Sequence, residues 1–518
     1  MTTYSRISMA AAAALLVGLT PAMAADLGGN CCADLEERVA ELEATTARKG
    51  TRKVSLTISG QISQQLMYWD DGNRSDTYFS GPAQSNSRWR LTGSARISPE
   101  LTAGFLYEFE AFASSSAAQS QTLGSAPPSN TIGAGTGPDA GATSANLREA
   151  MAWVEHSRLG RVSIGQGATA ANNAILVDLS GKGMAASADV RLHSSGMRLF
   201  SRDLHNITGN GYLRSGTWGG FFQGSSGDWL NERIEHIQYR SPTFAGFTIG
   251  ASWGEDDYWD TALRYAGEFN GVRVAGALGY SVRAGYDGVA DALKCTKQCD
   301  KKLEQLAGSL SVRHMPTGLF FTGAAGWRDM KDQDLVPSRI IVDFNRRGDD
   351  SILNQGGNRR DFDASFFYLS GGVARNFLGL GDTVLYGEYS EWKGAGQDTN
   401  FLADLPPFGP FEIVQISAFG GSDSKLTHWG VGIVQHVDAA AMEFWLSYKN
   451  YALSGFEFHS ITRGTIGNFE DLHIIQAGTR IRFGCAACSS LAQEERAARR
   501  RPSPFIPARA RRPARRGR

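Results

Sequence analysis

The sequence predicts an all-β chain folded as a 16-stranded antiparallel transmembrane β-barrel, with short periplasmic turns, long external loops and a short N-terminal coiled-coil helix. Three observations carry this. An export signal is followed by no apolar stretch long enough to cross a bilayer as a helix. From Val54 onward the hydrophobic period is two. The connections between the alternating segments are short and long in turn.

The first element is the signal, residues 1–24. Arg6 gives a positive start, Met9 to Leu19 an apolar run, and Ala22-Met23-Ala24 a small-x-small cleavage site. Residues 25–53 form a periplasmic segment with one short helix. Leu35, Val39 and Leu42 fall at coiled-coil spacing among Glu and Arg. So short a seam is marginal alone; it fits either a bundle with partner helices or a solvated amphipathic helix.

Of 518 residues, 42% are hydrophobic and 20% charged, with 61 Gly, 27 Phe, 15 Tyr and 11 Trp. That balance suits strands with one apolar and one polar face. The formal charge of zero hides an asymmetry. The last 35 residues hold ten Arg and two Glu, and the signal one Arg; subtracting these from 52 and 52 leaves 41 basic and 50 acidic side chains, about −9, in 25–483. An acidic body with a basic tail does not describe a nucleic-acid-binding protein.

The barrel spans 54–483. Val54, Leu56, Ile58, Ile62, Leu66 and Tyr68 alternate with Ser55, Thr57, Ser59, Gln61, Ser63 and Gln65, and Tyr68/Trp69 close the apolar face as an interface girdle. Trp89, Leu91, Ala95 and Ile97 alternate with Arg88, Arg90, Thr92, Ser94 and Arg96. Leu101, Ala103, Phe105, Tyr107 and Phe109 alternate with Thr102, Glu108 and Glu110. Further strands are expected at 148–157, 161–167, 232–240, 245–254, 259–267, 271–281, 304–314, 318–327, 363–375, 382–391, 426–436, 440–451 and 471–483. Links after even-numbered strands are short, such as SPE and EFNG. Those after odd-numbered strands are mostly long: 70–85, 113–147, 168–231, 282–303, 328–362, 392–425 and 452–470. Ser98-Pro99-Glu100 predicts a three-residue turn pairing Ile97 with Leu101, which sets Arg90 across from Glu108 and Arg88 across from Glu110.

The blocks LREAMAWVEHSRLGRVSIGQ, RIEHIQYRSPTFAGF and WGVGIVQHVDAAAMEFWLSYKNY resemble the strand-turn-strand units of proteobacterial general porins. The signal, Cys31-Cys32, LEERVAELEA and VSLTISGQISQQLMYWDDG together resemble the alphaproteobacterial porin family. The resemblance covers most of residues 1–483. It implies a homotrimer of 16-stranded barrels in the outer membrane of a Gram-negative bacterium, among outer-membrane lipids and lipopolysaccharide. Each barrel would pass small hydrophilic solutes and ions passively, narrowed by an inward third loop within 168–231. It implies no enzyme and no cofactor. Alternatives are a sugar-selective channel, a barrel-embedded hydrolase, which would need an oriented Ser/His pair, and a structural or adhesive barrel. The chain departs from the pattern at its end. Phe483 closes the last strand where the family carries an aromatic insertion signal, yet 484–518 follow, Arg/Pro-rich and aperiodic: a frameshifted or read-through extension, or a functional basic tail.

For a pore, the chemistry is charge at the narrowest point. Arg88 and Arg90 share the polar face of strand two near its middle; facing lipid there would cost ~2–4 kcal/mol, so they are expected at the constriction with Glu108 and Glu110. Asp178 and Lys182 of the third loop are the expected opposing charges, and Arg480 and Arg482 should face the lumen near the periplasmic mouth. Cys295 and Cys299, in the polar stretch KCTKQCDKK of an exported chain, are a disulfide candidate. No metal-ligand, P-loop or nucleophile-elbow spacing is present.

Overall fold

The structure, a computed structural model, describes residues 54–112, 115–116, 119–121, 144–193, 196–208, 211–219, 229–255, 257–284, 302–333, 340–342, 352–354, 360–394, 424–456, 458–460 and 464–484. The export signal, the coiled-coil segment, Cys295, Cys299 and 485–518 lie outside them.

The strands are β1 Ser55–Asp70, β2 Ser75–Ser80, β3 Arg88–Arg96, β4 Leu101–Phe112, β5 Ser144–His156, β6 Gly160–Ala168, β7 Arg198–Phe200, β8 Tyr212–Thr217, β9 Arg233–Arg240, β10 Phe247–Gly254, β11 Trp259–Phe269 and β12 Val272–Ala284. They continue with β13 Lys302–His314, β14 Leu319–Gln333, β15 Ile340–Val342, β16 Ile352–Asn354, β17 Arg360–Arg375, β18 Thr383–Lys393, β19 Lys425–Val437, β20 Met442–Ser454, β21 Phe458–Ser460, β22 Gly464–Ile466 and β23 Leu472–Phe483. A short helix, α1, spans Arg202–Thr208. The pairs β7/β8, β15/β16 and β21/β22 are small separate sheets; the remaining strands join one antiparallel sheet. That sheet closes where β23 pairs with β1, from Gly60 opposite Phe483 to Asp70 opposite His473. Closure leaves neither the first nor the last strand as an open edge, which lipid requires.

The closed sheet holds 17 hydrogen-bonded strands arranged as 16 staves, because β2 and β3 share one. β3 pairs with the near half of β1 (Ser55–Gln61), β2 with the far half (Gln65–Asp70). Part of the expected 70–85 loop, Ser75–Ser80, is therefore barrel wall. The break falls after Gly81-Pro82, where proline has no N–H to donate to a ladder. The side-chain amide of Gln61 donates instead to the Asn86 carbonyl (2.9 Å) and Ser85 Oγ (2.8 Å).

The burial pattern is inverted relative to a water-soluble protein. Ser59, Gln61, Ser63 and Gln65 are buried on the inner face of β1 while Leu56, Ile58 and Ile62 are more than half exposed on the outer one. Such an outer surface is stable against hydrocarbon, not water. Its aromatics form two belts. Phe244, Phe269 and Phe377 flank the short turns; Trp253, Trp259, Trp327, Tyr389 and Trp429 lie outward near the long-loop ends. Trp69 departs from the expected girdle: parity turns it inward, where it is buried against Tyr78. The short turns are built as their sequences demand. Asn270 and Gly271 join Phe269 to Val272 with φ of 48° and 77°, the two left-handed positions of a type I′ hairpin. At Ser98-Pro99-Glu100 the Ile97 amide donates to the Leu101 carbonyl (2.9 Å), as the three-residue turn requires.

Candidate functional site

The described residues of the connection between β6 and β9 (169–232) fold into the lumen. A backbone segment there has no sheet partner, so its polar groups need others. The barrel wall supplies them. Ala170 N donates to Ser252 Oγ (2.8 Å) and Ala171 N to Asp260 Oδ2 (2.9 Å), while Arg264 donates to the carbonyls of Ala170 (3.2 Å) and Asn172 (2.5 Å). Further along, Val177 N donates to Ser309 Oγ (3.1 Å), Leu179 N to Ser311 Oγ (3.0 Å), and Tyr451 Oη to the Val190 carbonyl (3.0 Å). The apolar side chains of the loop, Ile175, Val177, Val190 and Leu199, are buried in the same cluster as Trp229, Phe366 and Trp392. The loop is thus pinned across the lumen by strands far away in sequence.

Facing it is a wall of arginines. β3 and β4 pair with Arg90 opposite Glu108 and Arg88 opposite Glu110. The side chains do not follow the ladder one to one. Glu108, 1% exposed, is shared by Arg88 (3.2 Å), Arg90 and Arg148 (3.0 Å). Glu110 pairs with Arg148 (3.0 Å) rather than with Arg88.

Arg148 reaches both carboxylates because it is a β-bulge. The β4–β5 register runs Glu108 opposite Glu149 and then Phe109 opposite Leu147, which leaves Arg148 without a ladder partner. The extra residue lets Arg148 and Glu149 both turn inward while Leu147 stays on the outer face. Two adjacent charges in mid-strand, Arg148-Glu149, are the sequence signal for this, since neither can face lipid.

The lumen between wall and loop has a volume of about 810 Å³. Among the described residues, its cationic lining is Arg88, Arg90, Arg148, Arg161, Lys182, Arg233, Arg240, Arg480 and Arg482, against Glu108, Glu149 and Asp178. Asp178 and Lys182 do line it, but bonded to each other (2.9 Å), with Lys182 1% exposed; as a neutralised pair they set no free charge against the arginines. Arg480 and Arg482 lie toward the short-turn end of β23. The register carries them into the same wall: Arg482 stands opposite Gln61, which stands opposite Arg88. Both are paired with Glu443, at 2.6 and 3.3 Å. Sequence reasoning misses Arg148, Arg161, Arg233 and Arg240.

The model of a family described as Gram-negative porin matches residues 10–335. The chain belongs to the Gram-negative porins. No curated protein matches it. Among solved structures, it is similar to the anion-selective porin from Comamonas acidovorans, at 16% identity over 83% of this chain and 100% of that one, with a TM-score of 0.45. It is also similar to OmpT of Vibrio cholerae in trimer form (11% identity, 83% and 99% covered, TM-score 0.44) and to Salmonella typhi OmpF in complex with daunomycin (12%, 83% and 98%, TM-score 0.42). As a porin the protein is an outer-membrane diffusion pore. A barrel-embedded hydrolase and an adhesive barrel are not favoured by that membership.

Proposed function

We propose that this porin prefers small anions, with its constriction formed between the Arg88/Arg90/Arg148 wall and the loop segment around Asp178 and Lys182. The observation that carries this is the lining of the lumen: among the described residues, nine cationic side chains against three anionic ones. Fixed charge in a narrow, low-dielectric passage raises the local concentration of counter-ions and so sets ion preference. Glu108 and Glu110 lower the positive field without cancelling it, because two carboxylates serve three guanidinium groups.

Planar-bilayer recording across a KCl gradient tests it. A reversal potential displaced toward chloride is expected; one displaced toward potassium would overturn the reading. The alphaproteobacterial affinity rests on the N-terminal block, from Cys31-Cys32 to VSLTISGQISQQLMYWDDG. The homotrimer rests on that same resemblance and is tested by light scattering of the purified protein in detergent. Phe483, the last residue of β23 and exposed on the outer face, is the residue we propose as the insertion signal.

A further inference from the structure

The lumen wall is not polar throughout. On β4 and β5 the inward positions run Glu110, Glu108, Leu106 and Glu149, Met151, Trp153, Glu155. Leu106 stands directly opposite Met151, and Trp153 is the next inward residue on the same strand. All three are only half-buried and line the 810 Å³ cavity. Leu176 of the lumenal loop, also half-buried, lines it from the other side.

This apolar strip lies between two groups of guanidinium. One step toward the long-loop end are Arg90 and Arg148 around Glu108. One step toward the short-turn end is Arg161, whose guanidinium lies 4.1 Å over the Trp153 ring and pairs with Glu155. The Trp153 indole lies over Gly104, where a Cβ would come within 2.3 Å of its ring, and Met151 lies likewise over Gly167. Small residues beneath both side chains press them flat to the wall and leave the passage open beside them. Apolar surface kept in water inside a hydrophilic pore is unfavourable by itself. It becomes useful when the solute brings an apolar surface of its own.

We infer that the pore has a subsite for aromatic monocarboxylates: the carboxylate held by the Arg90/Arg148 group, the ring laid on the Leu106–Met151–Trp153 strip. The inference rests on the anion preference proposed above and adds to it the class of anion. A planar ring suits a flat strip edged by a guanidinium already stacked on indole, and a carboxylate suits the forked donors of arginine.

The experiment uses the full porin in planar bilayers. Chloride current is recorded while phenylacetate, or gluconate as a hydroxylated carboxylate without a ring, is titrated in; the KCl reversal potential is measured on the same membranes. Phenylacetate is expected to occupy the pore on the order of tenfold more tightly than gluconate, the ratio that corresponds to about 1.4 kcal/mol. Trp153→Gln should remove most of that difference and leave the KCl potential on the chloride side, since no charge is removed. Leu106→Gln, which leaves the Arg161–Trp153 stack in place, should reduce it too and serves if Trp153→Gln does not insert. Equal occupancy by the two acids beside a retained anion preference would overturn this inference alone. A KCl potential without anion preference would overturn the underlying reading and this one with it.

Discussion

Arg90 stands directly across the β3–β4 ladder from Glu108, and the two side chains form an ion pair on the lumenal face. Arg88 and Arg148 converge on the same carboxylate, so one nearly inaccessible anion organises three cations. Glu108→Gln should therefore act twice. Losing a negative charge should shift the KCl reversal potential further toward chloride, and adding Glu110→Gln further still. Leaving three guanidinium groups without their shared acceptor should lower stability by about 1–3 kcal/mol, read as an earlier thermal transition in detergent. A shift toward potassium in the double variant would mean that these carboxylates do not face the conduction path.

Deletion of Arg148 tests the bulge. Without it, Glu149 would follow Leu147 in unbroken alternation, Leu147 outward and Glu149 inward, so the barrel should still fold, read as a heat-dependent shift in gel migration. Anion preference should fall, because one cation leaves the wall while Glu108 and Glu110 remain. A misfolded deletion variant alongside a well-folded Arg148→Ala variant would show that the extra residue is needed for strand register rather than for aiming a side chain.

The barrel is legible in the sequence because its physics is local. Period two, turn chemistry such as Asn270-Gly271 and the alternation of loop lengths are all written within a few dozen residues. Even the pairing of Arg90 with Glu108 follows from one turn and the rule that paired residues share a face. The lumenal loop is not legible, because its conformation is set by partners remote in sequence: Ser309 meets Val177 across 132 positions. For the same reason the Asp178–Lys182 pairing could not be separated from an assignment of both as charges opposing the arginines. Arg148 and the Gly81-Pro82 break lay between the two cases. Each leaves a local mark, adjacent mid-strand charges in one and a proline within a stave in the other, that a strictly alternating reading passes over.

Ser309→Ala and Ser311→Ala test how the lumenal loop is held. Ser309 Oγ accepts from Val177 N (3.1 Å) and donates to the Ala174 carbonyl (2.6 Å); Ser311 Oγ accepts from Leu179 N (3.0 Å). Each substitution leaves at least one buried backbone group unpaired, which costs about 1–3 kcal/mol. The outer face is untouched, so the barrel should insert normally. The double variant should show larger open-channel current fluctuations and faster proteolysis within 169–232. Recordings as quiet as those of the unaltered protein would mean that apolar packing around Ile175 and Val177 suffices to hold the loop.

The last prediction concerns acid. Asp178, in the lumenal loop, accepts hydrogen bonds from Lys182 Nζ (2.9 Å), Ser180 Oγ (2.8 Å), Gly181 N (3.1 Å) and Thr322 Oγ1 of the wall (3.2 Å). Burial by itself would raise its carboxyl, but Lys182 and the Ser180 hydroxyl outweigh burial and hold it below the ordinary carboxylate range. A carboxyl whose folded value lies below its unfolded value stabilises the fold fully above the unfolded one, near 3.9, and loses that contribution as pH falls through the folded one. The latch should therefore be indifferent to pH between about 5 and 8 and should loosen only below about pH 3.9. Open-channel fluctuations recorded from pH 7 down to 2.5 should stay flat and then rise steeply. Asp178→Asn should fluctuate at neutral pH and lose the acid step, since the amide can neither titrate nor balance the Lys182 charge. A wild-type transition centred between pH 5 and 7 would assign the response to a histidine instead and refute the Asp178 latch.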